Sequence, residues 1–319
     1  MNKPTVIVIT GPTATGKSAL GATLAKRIGG EVVSADSMQV YKLMDIGTAK
    51  PSPEEMQGVP HHMLDIVPPW EDYSVARYIS DAASCIDDIL NRGKTPLIVG
   101  GTGLYIDSLL SGRVFSARGD TAQRQELENE YDMIGGEAML RKLGGFDPES
   151  AAKLFANDRK RIVRAIEAYN VTGKTLSRHG RETKEYPPRY EAAKFALTFS
   201  DRSKLYSQID RRVDGMIIGG LEREVRGLLE IGVPSGCTAM QAIGYKEIAD
   251  AVRCELSIDE AIATIKLQSR RYAKRQLTWL RREQNIHWFM WGDEPEIQRA
   301  ASEIAYNFDT TNRYHDNHH

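Results

Sequence analysis

The chain of 319 residues carries 42 Lys and Arg against 43 Asp and Glu, a net charge of −1, so global charge selects neither a nucleic acid nor a membrane. With 41% hydrophobic residues it is long enough for a full core, as one domain with an insertion, yet no apolar run approaches the roughly 20 residues of a membrane span. The short Val6–Ile9 run is no signal peptide, and Cys85, Cys237 and Cys254 have no CxxC spacing, so a cytoplasmic protein with reduced thiols and no cysteine zinc site is expected.

Val6–Ile9 runs into Gly11-Pro12 and reads as a buried first strand. A helix is expected from near Gly16 to about Ile28, then a strand at Glu31–Ala35 that delivers Asp36 at its C-terminal end. A loop rich in Pro and Gly spans Gly47 to Pro69, and its His61-His62 pair reads as loop structure, because no further ligand has metal-site spacing. A helix at Tyr73–Leu90 and an apolar strand at Thr95–Val99, closed by Gly100-Gly101, follow. This alternation predicts an α/β fold: a parallel sheet like that of P-loop NTPases, with ligands at the strand C-termini. Strand signals then vanish. Charged helical stretches at Thr121–Met133, Glu137–Leu143, Pro148–Leu154 and Asp158–Tyr169 mark an all-helical insertion over 115–190, between core segments 1–114 and 191–319. Strand-like Lys194–Phe199 is followed by helices at Arg202–Ile231, Ala239–Val252 and Ile258–Glu283, a late strand at Ile286–Trp291, and a polar tail, Asp309–His319, expected to be disordered.

Gly11-Pro12-Thr13-Ala14-Thr15-Gly16-Lys17-Ser18 matches GxxxxGK[ST] in full, between a predicted strand and a predicted helix. In that context backbone N–H groups converge on phosphate oxygens, Lys17 adds a point charge, and Ser18 offers a hydroxyl to Mg²⁺. The strand–loop–helix setting argues against a chance glycine turn. A P-loop alone suggests a nucleotide kinase or NTPase, but the strand at Thr95–Val99 ends in Gly100-Gly101-Thr102-Gly103 with no metal-holding acid. Asp36 is the well-placed carboxylate. It suits a general base beside the phosphates, with a helix N-cap or a metal-water ligand as the bland alternatives. Thr102 sits in a glycine turn that taken alone is a plain turn. From Lys266 to Arg282 there are seven basic residues and no acid, and Arg159–Arg164 (RKRIVR) adds four more. On a helix Arg271, Arg275, Thr278 and Arg282 share one face and Ala273, Leu277 and Leu280 another. That cationic stripe is either a solvated face or a binder of phosphate backbone.

These residues resemble one family, the tRNA dimethylallyltransferases of bacterial type. The resemblance rests on GPTATGKS (11–18), SADSMQVY (34–41), MDIGTAKP (44–51), VGGTGLY (99–105), NDRKRIVRAIE (157–167), TGKTLS (172–177), AIGYKEI (242–248) and AKRQLTWLRRE (273–283), collinear over nearly the whole chain. It implies a P-loop core with a helical insertion that grips the anticodon stem. It implies that the P-loop holds the diphosphate of dimethylallyl diphosphate, with Mg²⁺ as cofactor. By the same resemblance Asp36 is the base on the adenine amine, Thr102 helps place the diphosphate or bridging oxygen, and Arg212, in the run Gln208-Ile209-Asp210-Arg211-Arg212, stabilises the leaving group. The implied tRNA contacts are Asp36, Ser37, Met38 and Gln39, then Thr102 and Arg124, then Lys160, Arg161, Ile162, Val163 and Arg164, and finally Gln241, Ala242, Ile243, Gly244, Tyr245 and Lys246. The expected partners are tRNA and dimethylallyl diphosphate, with no membrane, and the chain is expected to act as a monomer. Two departures stand out: Arg113–Asp120 (RVFSARGD) lacks the prolines common there, and Met38 stands where smaller residues are common.

Overall fold

The computed structural model describes residues 3–112, 121–184 and 187–316. The Arg113–Asp120 departure lies outside them. Two compact units form: Met1–Leu110 with Tyr190–His319, and Ser111–Arg189. The expected insertion had run over 115–190.

The first unit is built on a six-stranded, fully parallel sheet. Its strands are β1 (Thr5–Thr10), β2 (Glu31–Ser34), β3 (His61–His62), β4 (Pro96–Gly100), β5 (Glu191–Phe199) and β6 (Ile286–Trp291). They lie in the order β3-β2-β4-β1-β5-β6. Strand β1 is buried on both faces, which is why it reads as a continuous apolar run. Its period of two splits the core: Val6 and Val8 pack on one side of the sheet, Ile7 and Ile9 on the other. Helices α1 (Lys17–Ile28) and α13 (Ile297–Asp316) contribute Leu20, Leu24, Ala301 and Ile304 to the second side. The first side is covered from α2 (Val75–Asn91), α3 (Gly103–Ser111), α10 (Leu221–Glu230) and α11 (Tyr245–Val252), with Ala261 and Ile265 of α12 (Ile258–Leu280). Because β4 lies between β1 and β2, the loops leaving these three strands emerge side by side.

Several expectations are corrected. His61 and His62 form a short edge strand that pairs with Val32 and Val33 of β2. The single helix read over Arg202–Ile231 is two, α9 (Arg202–Ile218) and α10, broken at Gly219-Gly220, where Gly220 has φ 97. The helix read over Ala239–Val252 is a 3-10 turn at Ala239–Gln241 followed by α11. Helix α13 runs to Asp316, through much of the tail read as disordered. Its apolar side, including Ala300, Ala301 and Ile304, packs in the core, which supplies the stability that a polar sequence lacks on its own.

The second unit is helical: α4 (Thr121–Ile134), α5 (Gly136–Gly144), α6 (Pro148–Ala151), α7 (Arg159–Thr172) and α8 (Leu176–Lys184). Its core gathers Leu127, Met139, Leu143, Ile162, Val163 and Ile166. No helix among the described residues is long and apolar enough to cross a membrane.

Candidate active site

The P-loop leaves the buried end of β1 and enters α1 at Lys17. Its backbone is held from within. The Thr15 hydroxyl donates to the Pro12 carbonyl at 2.8 Å, and Trp291 Nε1 donates to the Thr15 carbonyl at 3.0 Å. Ala14 adopts φ 63, a left-handed conformation that non-glycine residues take up where surrounding contacts enforce it. Lys17 Nζ donates to the Pro12 carbonyl at 2.6 Å. Burial and the nearby Arg212 push its pKa down to about 7, against the opposing pull of Asp36. Ser18 is exposed in the first turn of α1, and that turn holds no acid.

Asp36 follows β2 just before a bend at Ser37 and Met38, and its Oδ1 accepts the Met38 N–H at 2.9 Å. No helix begins there, so the N-cap alternative falls. Thr102 stands at the end of β4 just before α3, and its Oγ1 accepts the Ser37 N–H at 3.1 Å. The glycine turn thus joins Thr102 to the loop that carries Asp36. Arg212 projects from α9. Burial lowers its pKa while Asp36 and Glu55 oppose that, and its Nε has no hydrogen-bond partner among the described residues.

Three adjoining cavities share Arg212. One, of about 470 Å³, is lined by Lys17 and Ser18 together with Asp45, Ala49 and Lys50. Another, of about 310 Å³, is largely apolar, with Met38, Val213, Met216 and Ile265 set around Asp36 and Tyr272. A third, of about 70 Å³, brings Lys17, Ser18, Asp36, Arg212 and Tyr272 to one place. Burial and Asp36 raise the Tyr272 pKa to about 12, with Thr102 and Gln276 within hydrogen-bonding reach opposing them, so the phenol stays neutral.

Sequence reasoning missed the residues that hold these parts. Glu224 on α10 accepts the N–H groups of Asp45, Ile46 and Gly47 at 2.9, 2.9 and 3.2 Å, and the Tyr245 hydroxyl at 2.5 Å. It anchors the DIGTAKP loop over the P-loop side. Gln276 of α12 joins the P-loop to the β4 turn. A polar residue inside the packing stripe of α12 was the available signal for it.

The remaining expected contacts divide by burial. Gln39 is buried, and its Nε2 donates to the Thr48 and Ala49 carbonyls at 3.3 and 3.2 Å, so it anchors a loop. Ala242, Gly244 and Tyr245 are buried beside Leu221, while Gln241 and Lys246 are exposed. On α7, Ile162 and Val163 face the core of the helical unit and present no side chain to a ligand. Arg164 and Arg124 both pair with the buried Glu167, at 2.7 and 3.5 Å. Lys160 and Arg161 are exposed. Arg159 is held by Asp132 at 2.7 Å and stacks over Tyr131. The RKRIVR run is therefore half packing and half surface.

Family comparisons fit this arrangement. The IPP transferase family pattern matches residues 39–283, and the isopentenyl transferase pattern matches residues 4–67. The chain belongs to the IPP transferase family. The tRNA dimethylallyltransferase of Acetivibrio thermocellus is 48% identical over 302 residues, 94% of this chain and 96% of that one. That of Carboxydothermus hydrogenoformans is 49% identical over 300 residues, with the same coverage. Among solved structures, the full-length tRNA isopentenylpyrophosphate transferase of Bacillus halodurans aligns over both whole chains, with a TM-score of 0.73 and 40% identity. A eukaryotic dimethylallyltransferase acting on tRNA aligns with a TM-score of 0.80 and 30% identity, over 97% of this chain and 80% of that one. Family membership sets aside the nucleotide-kinase and NTPase readings of the P-loop.

Proposed function

We infer that this chain is a tRNA dimethylallyltransferase, which moves a dimethylallyl group from dimethylallyl diphosphate to the exocyclic amine of the adenosine 3′ of the anticodon, in tRNAs that read codons starting with U. The observation that carries the reading is one small cavity lined by the P-loop lysine, the half-buried Arg212 and Asp36, with no acid at the end of β4. That is a diphosphate cradle with a base beside it, lacking the metal-holding carboxylate of phosphoryl transfer.

The carbon–oxygen bond of the allylic diphosphate breaks, the carbon–nitrogen bond to adenine forms, and the amine proton passes to Asp36. Negative charge develops on the departing diphosphate. The P-loop amides, Lys17 and Arg212 are fixed in advance around that charge, and the unpartnered Arg212 Nε supplies a donor that the free protein leaves unused. Thr102, tied to Ser37, places the diphosphate relative to Asp36. The cavity containing Met38, Met216 and Tyr272 receives the adenine, flipped from its stack at a cost of a few kcal/mol that stem binding offsets. The adjoining cavity beside Lys50, which shares Lys17, Ser18 and Arg212 with the diphosphate cradle, takes the part of the diphosphate that extends out of it.

No group of three or more His, Cys, Asp or Glu suited to a metal occurs among the described residues. Ser18, exposed in the first turn of α1, and the diphosphate oxygens would hold Mg²⁺. Bound there, it would neutralise charge on the leaving group. Exposed bases of α12 and the turn after it (Arg271 and Arg282) and of α7 (Lys160 and Arg161) supply contacts to the tRNA backbone, and the chain works as a monomer.

Incubation with labelled dimethylallyl diphosphate, Mg²⁺ and unmodified tRNA reading U-starting codons should place the label on the tRNA. ATP-dependent phosphorylation without tRNA, and no labelled tRNA, would return the protein to the kinase class.

A further inference from the structure

One face of α12 braces the loops of the site. Tyr272, Gln276 and Trp279 stand three and four residues apart, so they point the same way. Trp279 Nε1 donates to Asp107 of α3 at 2.7 Å, and a Cβ at Gly103 would come within 2.5 Å of its indole. Gln276 is 6% exposed. Its Oε1 accepts the Thr13 N–H at 3.1 Å, and its Nε2 donates to the Gly101 carbonyl at 2.9 Å. Thr13 belongs to the P-loop, and Gly101 immediately precedes Thr102, itself bonded to the residue after Asp36.

A primary amide accepts and donates at once. Asn and Gln carry both functions on one planar group in every protonation state of the protein, and Asn is one methylene shorter. Both partners of Gln276 are backbone groups, so the amide fixes main chain to main chain. It therefore sets the separation between the loop that cradles the leaving diphosphate and the turn that carries Thr102. A rigid helix, packed through Ala273 and Leu280, holds the amide itself in place.

We propose that Gln276 is a positioning residue of the transfer reaction, acting through the P-loop and the β4 turn to hold the diphosphate cradle in register with Thr102 and Asp36. This rests on the function proposed above. Its effect belongs to the transition state, because each loop can still hold its own ligand when the two loops drift apart. Displacements of about 1 Å in such constellations cost on the order of 100-fold in rate.

The test is transfer kinetics on the full chain with wild type, Gln276→Leu, Gln276→Glu and Thr102→Ala. Leucine keeps an apolar volume and removes both bonds. Glutamate keeps the acceptor for Thr13 but sets an oxygen against the Gly101 carbonyl. For both Gln276 variants kcat should fall about 10- to 100-fold, while KM for dimethylallyl diphosphate and tRNA affinity change less than about threefold. Each combined with Thr102→Ala should lose less than the product of the single losses, because both act on one geometry. The inference is overturned if folded variants keep kcat within about twofold of wild type, if the loss lies in KM alone, or if the losses multiply in full. Should the leucine variant fail to fold, the glutamate variant decides by the same criteria. A wild type that transfers nothing contradicts the proposed function instead, so the two failures are separable.

Discussion

Arg212 and Lys17 are cations placed where burial works against their charge. The diphosphate of the proposed reaction would offset that cost, in addition to the nearby Asp36. Two predictions follow from these residues and Asp36. Diphosphate bound beside Lys17 restores the ordinary pKa of its ammonium, so binding at about pH 8 should take up close to one proton, and affinity should fall as pH rises above about 7. Titration calorimetry in buffers of different ionisation enthalpy reads this directly; no uptake at that pH would show that Lys17 stays clear of the phosphates. Replacing Asp36 with Asn should lower single-turnover transfer about 100- to 10,000-fold with little change in tRNA affinity. A large loss of binding with normal turnover would remove Asp36 from its role as base. Lys17, Ser18 and Asp36 were legible because a glycine loop and a strand-end acid announce themselves locally. Arg212 came only through resemblance, Gln276 signalled itself only as a polar residue in a packing stripe, and Glu224 was invisible, since their meaning comes from backbone groups 175 or more residues away in sequence.

Helix α12 is the element with two jobs. Its buried stripe, Ala273, Gln276 and Leu280, packs and braces, while Arg271, Arg275 and Thr278 are exposed as the 3.6-residue period predicts; Arg282, read as part of that face, is exposed in the turn after the helix ends at Leu280. The inward position of Leu277 holds in part, since it is half-buried. Replacing Arg271 and Arg282 with Gln should weaken tRNA binding and lower the salt dependence of log Kd by about 0.7 per residue; unchanged binding across a salt titration would make that face merely solvated. Gly103→Ala forces a methyl group against the Trp279 indole and should lower both melting temperature and transfer. Unaltered values for both would show that the indole yields. Element boundaries were misread where glycine decides them: Gly220 ends a run whose side chains would otherwise continue as helix. The two-residue β3 carries no periodic signal at all.

At the scale of the molecule, the parallel sheet was legible from apolar runs that end in glycine or acid, and the helical unit from the loss of strand signals. What could not be read was the packing that gives segments their identity. Half of the RKRIVR run turns inward to Glu167 and the core of its unit, although composition alone made it a basic patch. On the proposed function the P-loop is a holder for a departing group, serving transfer of carbon. The sharpest test is the phosphorus product of turnover. With dimethylallyl diphosphate and unmodified tRNA, each modified adenosine should appear with one intact diphosphate, and with no requirement for a nucleoside triphosphate. Release of orthophosphate in step with turnover, or dependence on ATP, would contradict it.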